Sequence, residues 1–172
     1  LKLPDHEIPQ TLNSSYGEDE RSVQEAYSKT ICKMFGQLGL RGVSAIISSG
    51  DTGSGSACQT NDGKNTSRFD ASFPGACPYV TSVGGTYKVE SELAAPFSPG
   101  GFSDRFRKAS YRRAAVGGCL DFLGDKWKGL FNPHGRGFPD ASAQGVAFHI
   151  IDQGPHSASG LVLSDYLIDG TR

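Results

Sequence analysis

Apolar positions along the chain recur at different spacings, and each spacing predicts a different element. Thr11 to Tyr16 is a short segment bounded by Pro9 and Gly17 and predicts a strand. Val23, Ala26, Tyr27, Ile31, Met34, Phe35 and Leu38 then recur at the repeat of one helix face. Ser22 and Glu25 have the spacing of a capping box ahead of that face, and Gly39 follows where a helix commonly stops. Val43 to Ser48 is a continuous, mostly apolar run and predicts a buried strand. Strand, helix and strand within roughly 40 residues make a right-handed βαβ unit with parallel strands.

Downstream the pattern loosens. Gly50 to Pro74 is too polar and glycine-rich for regular structure. Tyr79 to Val83 predicts a third strand, closed by Gly84 and Gly85. Tyr111, Ala115, Cys119, Phe122 and Leu123 give a helical repeat over Ala109 to Leu123, weakened by Gly117 and Gly118. Val146 to Ile151 predicts a late strand. The fold class is therefore α/β, a mostly parallel sheet with flanking helices.

Composition narrows the choice of function. The chain has 172 residues, 37% hydrophobic and 20% charged, which suits one ordinary domain or a piece of a larger one. A net charge of −1 without a run of five like charges argues against a nucleic-acid binder or a polybasic membrane binder. No apolar stretch approaches the ~20 residues of a membrane span. The 23 glycines favour a loop-rich fold over a helical bundle. The chain opens at Leu1 with neither an initiator Met nor a signal-like segment, so a processed or truncated form is expected.

Cys58 and Cys77 flank the glycine-rich loop and are expected to form a disulfide, leaving Cys32 and Cys119 as thiols on helices. Closing that loop of about 20 residues would contribute on the order of 3 kcal/mol. Asn13-Ser14-Ser15 and Asn65-Thr66-Ser67 are sequons for N-glycosylation in a secreted chain. His6, His134, His149 and His156 have no paired ligand spacing, so no metal is expected.

One segment stands out for chemistry. Ligands of open parallel sheets sit at the carboxyl ends of the strands, and Ser48-Ser49-Gly50-Asp51 follows the most apolar strand. A protonated carboxyl there would donate a hydrogen bond to a developing oxyanion, whereas an ionised one would repel it. The plainer reading makes Asp51 the cap of an Asp-Thr-Gly turn. An aspartic-protease reading of the same triplet needs a second such Asp in an all-β setting, and the βαβ unit argues against it.

Five ordered motifs carry a family resemblance. They are Ser14-Ser15-Tyr16-Gly17, Ser48-Ser49-Gly50-Asp51-Thr52-Gly53, the run from Phe73 to Thr86, Gly100-Gly101-Phe102-Ser103, and the run from Gly135 to Ala143. Together they resemble the sedolisin family, serine-carboxyl peptidases of subtilisin-like fold, and most of all its fungal tripeptidyl-peptidases. The resemblance covers about residues 1–154 and implies a partial peptidase domain, with 155–172 as a divergent segment. It implies that Asp51 is the oxyanion-hole acid, working at acidic pH. It also implies that Ser14, Ser15 and Gly17 belong to the strand that pairs with an extended peptide, and that Gly84-Gly85-Thr86 is structural.

Other family parts have no match here. The Glu and Asp that activate the family's nucleophile would precede a segment like residues 1–10. Its serine stands in a Gly-Thr-Ser motif soon after a stretch like Phe148 to Gly154. Here the chain reads Pro155-His156-Ser157-Ala158-Ser159-Gly160, and Gly170-Thr171 is followed by Arg172 instead of a serine. The family's calcium site lies further downstream, so no cofactor is expected in this chain. Ser157 or Ser159 with His149, His156 and Asp152 would be a rearranged triad, but nearness in sequence does not establish its geometry. Lys126-Trp127-Lys128 and Arg105-Phe106-Arg107-Lys108 read as solvated surface.

The expected function is that of a serine-carboxyl peptidase homologue that acts on or binds peptides at acidic pH and is inactive by itself. The alternative is a non-catalytic binding protein, lectin-like or immunomodulatory, on the same scaffold. Expected partners are a peptide substrate or ligand and either further peptidase segments or a second copy, with no nucleic acid and no membrane. The expected location is secreted, or an acidic vacuole- or lysosome-like compartment.

Overall fold

A computed structural model describes residues 2–153 and 163–168. After a single 3-10 turn at Asp5–Glu7 the chain forms β1 (Thr11–Ser14), β2 (Glu18–Asp19), α1 (Glu25–Leu40), β3 (Ser44–Ser48), β4 (Ser72–Phe73), β5 (Thr81–Tyr87), β6 (Leu93–Ala94) and β7 (Gly101–Arg107). A 3-10 turn at Ser110–Arg112 leads into α2 (Arg113–Leu123), then β8 (Gly135–Phe138), β9 (Ala141–Gln144), β10 (Phe148–Gln153) and β11 (Leu163–Ile168).

The βαβ unit is present. β1 and β3 pair in parallel, with Asn13 opposite Ile46, and β3 pairs in parallel with β5, with Ile46 opposite Thr81. β9 adds a further parallel neighbour to β5, and the two-residue β6 pairs antiparallel with it. β2 with β4, β7 with β8, and β10 with β11 form separate antiparallel pairs. The late strand expected over Val146 to Ile151 is thus β10, and it lies outside the parallel sheet.

Several expectations are corrected. Ser22 and Glu25 do not form a capping box. Gln24 is the N-cap, the Ser22 hydroxyl donates to Glu18 Oε2 at 2.6 Å and to the Asp19 carbonyl at 2.8 Å, and Glu25 pairs with Lys29. The helix also passes Gly39 and ends at Leu40, where the Arg41 amide donates back to Leu38 and Gly42 turns the chain at φ +82°. Its inner face is centred on Ser28 and Cys32 with Ile31 and Phe35 beside them, so Tyr27 and Met34 point outward.

Gly84 and Gly85 continue β5 rather than closing it. A Cβ at Gly84 would sit 3.0 Å from Pro139, Ser142 and Ser98, so the missing side chain admits β9. In α2 the buried residue is Val116, whereas Cys119 and Phe122 are exposed, as is Tyr111 in the 3-10 turn before it.

The core lies between α1 and one face of the sheet. Ala45 and Ile47 are buried with Val23, Cys32, Phe73, Cys77 and Val80. Ile46, on the opposite face of β3, is 38% exposed, so the strand is half-buried and not covered on both sides. The disulfide joins Cys32 to Cys77, and not Cys58 to Cys77. Cys32 faces the core from α1, and its Cα stands 5.3 Å from that of Cys77 in the turn before β5. Cys58 sits instead at φ +51° in the glycine-rich loop, its thiol directed to the Ser54 and Gly55 carbonyls.

Candidate functional site

Parallel pairing brings the carboxyl ends of β1 and β3 to one edge of the sheet, and a cleft opens there. This cleft of about 440 Å³ is lined by Ser15, Tyr16 and Gly17 leaving β1, by Ser48 and Gly50 to Gly53 leaving β3, and by Glu18, Asp19, Asp70 and Ser72. Ser15 and Gly17 therefore meet Asp51, distant in sequence, in one cleft. Ser14 does not line it; its Oγ accepts a hydrogen bond from the Tyr16 amide at 3.3 Å. Tyr16 stands at the mouth, 85% exposed.

Glycine is required at the close approaches. A Cβ at Gly17 would lie 2.9 Å from the Phe73 carbonyl oxygen, where β4 crosses behind the β1–β2 connection. Gly50 turns the chain out of β3 at φ +112° and places Asp51, partly buried, over the cleft.

Sequence reasoning missed the charged run that follows Ser15 to Gly17, of which Glu18 and Asp19 line the cleft. Glu18, Asp19, Glu20 and Arg21 are consecutive, and each is tied to a different part of the fold. Glu18 accepts from Ser22, and Asp19 faces the Ser56 amide at 3.4 Å. Glu20 is 1% exposed and accepts from the Ser103 hydroxyl at 2.5 Å and the Asp104 amide at 2.9 Å. Arg21 Nε donates to Asp70 Oδ1 at 2.5 Å and Nη2 to the Phe69 carbonyl at 2.6 Å. Burial pushes the Glu20 carboxyl above its ordinary range, against the Ser103 and Asp104 hydrogen bonds that hold it down. Burial likewise raises Asp70 despite the Arg21 pair. Four successive charges between a strand and a helix were the available signal.

The remaining candidates lie elsewhere. Asn13 is exposed on β1, and Asn65 is exposed just after a turn, at φ +51°. Arg105 is not solvated surface: it is partly buried and donates to the Val23 carbonyl and to Ser28 Oγ. Trp127 packs at 5.8 Å on Phe69. His156, Ser157 and Ser159 fall outside the described residues, as does the Gly170 to Arg172 stretch. Among the described residues no group of three His, Cys, Asp or Glu side chains is placed to hold a metal ion. Nor is any described helix long and apolar enough to cross a membrane.

No family model matches the chain. Tripeptidyl-peptidase SED2 of Arthroderma otae is 54% identical to it over 154 residues, 90% of this chain and 26% of that protein. The probable tripeptidyl-peptidase SED3 of Arthroderma benhamiae is 56% identical over 154 residues, with the same shares. The chain thus spans about a quarter of the length of the curated relatives it matches. Among solved structures, Pseudomonas sedolisin, a serine-carboxyl proteinase complexed with two molecules of pseudo-iodotyrostatin, aligns with a TM-score of 0.61. That match covers 96% of this chain and 44% of the other at 21% identity, a likeness of fold. The chain is thus similar to a segment about a quarter the length of fungal tripeptidyl-peptidases, and it shares the α/β fold of sedolisin.

Proposed function

We propose that the cleft binds an extended peptide and that Asp51 is the acid that stabilises the oxyanion when the peptide bond is attacked, as part of a subtilisin-like serine-carboxyl peptidase site. The observation that carries this reading is the meeting of Ser15, Gly17 and Asp51 along one cleft. Backbone leaving β1 offers main-chain donors and acceptors to an extended peptide, as strand addition requires. In its acid form Asp51 donates a hydrogen bond to the carbonyl oxygen as negative charge develops there, which restricts the role to acidic conditions. A nucleophile must supply the attacking oxygen, and no motif in residues 1–154 matches the family's serine. The 172-residue chain by itself is therefore expected to bind peptide without turning it over. Loss of the nucleophile in a serine peptidase costs about 10⁶ in turnover. An acidic secreted or vacuolar setting suits this chemistry, and there the exposed Asn13 and Asn65 are candidate glycan acceptors.

The test titrates the chain with an extended tripeptide anilide at about pH 4 and pH 7, where carboxyl groups differ in protonation. Backbone amide shifts should cluster at residues 15–17 and 50–53 and be stronger at the lower pH, with no anilide hydrolysed. Shifts confined to other surfaces would overturn the reading. Turnover abolished by Asp51→Ala would show that the chain holds its own nucleophile and would end the binding-only part.

A further inference from the structure

The loop that carries Asp51 leaves β3 at Gly50 and is held along its length from outside itself. The Gly53 amide donates to the Phe97 carbonyl at 3.0 Å, and the Ser54 carbonyl accepts from the Asp70 amide at 2.8 Å. Gly55, at φ +120°, lies so close to Asp70 that an added Cβ would come within 2.5 Å of the Asp70 Cβ. Asp70 is thus the surface on which the loop rests. Its side chain is only 3% exposed, so its position depends on a counter-charge. Arg21 supplies that charge through a two-point grip, Nε on the Asp70 carboxylate and Nη2 on the neighbouring Phe69 carbonyl.

We infer that Arg21 and Asp70 are positioning residues for Asp51: the buried pair fixes the backbone at Phe69–Asp70, and that backbone fixes the Gly50–Ser56 loop at the cleft. The inference rests on the proposed role of Asp51 for its functional meaning, but its structural content stands apart from catalysis. Lysine at position 21 keeps the charge but lacks the planar fork and cannot hold both oxygens at once. Asparagine at position 70 keeps the shape and backbone while removing the charge.

The experiment compares amide hydrogen exchange in the 172-residue chain with that in Arg21→Lys and Asp70→Asn. The expected result in each variant is about tenfold faster exchange at Gly53, Gly55 and Asp70, with Ile46, Ile47 and the amides of α1 unchanged. The Asp51 carboxyl carbon signal should shift in both variants, and affinity for the tripeptide anilide should fall by a similar factor. Unchanged exchange at those three amides in both variants overturns the inference. Equal acceleration in β3 and α1 also overturns it, because the pair would then be a general support. If the unmodified chain binds no peptide, the proposed function falls, and the exchange data still judge the pair. If peptide binds while loop exchange stays unchanged in the variants, the pair alone falls.

Discussion

A carboxylate can be buried only where donors surround it, and Glu20 meets that condition with the Ser103 hydroxyl and the Asp104 amide. Ser103 in turn accepts from the Arg105 and Phe106 amides, so one side chain from the segment after β2 organises the bend in β7. Burial still dominates and raises the folded-state pKa of Glu20 above its unfolded value. The folded form then binds the proton more tightly than the unfolded chain. Above the folded pKa the cost of the buried charge is fully present; as pH falls through that value towards the unfolded one, the cost disappears. Asp70 shifts in the same direction. Urea midpoints should therefore hold or rise on acidification from neutrality to about pH 5, and Glu20→Gln should flatten that dependence. A midpoint that drops steeply over the same interval, with the same slope in Glu20→Gln, would contradict this account.

At the scale of elements, β3 has one dry face and one wet face. Ile47 is 2% exposed beneath α1, and Ile46 is 38% exposed on the other side. Ile47→Ala should cost about 2–5 kcal/mol, and Ile46→Ala well under half as much, by chemical unfolding. Equal costs would mean that both faces are packed. The Cys32–Cys77 disulfide links α1 to the turn entering β5 and closes a separation of 45 residues. In the chain-entropy model that closure contributes about 4 kcal/mol, so Cys32→Ala should lower stability by roughly 2–4 kcal/mol. Cys58→Ser should stay within about 0.5 kcal/mol. Non-reducing peptide mapping checks the connectivity directly, and a Cys58–Cys77 peptide would reverse the assignment.

Across the whole molecule, one carboxylate joins elements that the hydrogen-bond ladders leave separate. Asp140 accepts from the Ser82 amide in β5 at 2.7 Å, from Arg136 in β8 at 2.5 Å, and from Arg112 just before α2. Arg136, 2% exposed, also donates to the Cys77 and Val80 carbonyls, which ties the disulfide turn to the β7–β8 pair. Removing the central acid would leave a buried guanidinium without its counter-charge. Asp140→Ala should therefore cost about 3–5 kcal/mol in unfolding free energy. A loss below about 1 kcal/mol would show that the network contributes little to holding these parts together.

Much of this was legible in the residues. The helical repeat between two short strands specified the βαβ unit, because local periodicity is read over a few neighbouring residues and needs no distant partner. Parallel strands then forced their carboxyl ends to one edge, so the meeting of Ser15, Gly17 and Asp51 followed from topology. Tertiary structure alone decided what depends on distant approach. Cysteine pairing turned on which Cα atoms come within bridging distance, and the α1 face turned Cys32, not Cys58, towards Cys77. The two-residue β2 and β4 are too short to carry a periodic signal, and they exist because Gly17 lets Phe73 cross behind the cleft. Glu18 to Arg21 carries no periodic signal of its own, and Glu20 and Arg21 are drawn inward by Ser103 and Asp70, residues more than 45 positions away. A charge is buried only when its partner arrives, and no local pattern in the chain records that arrival.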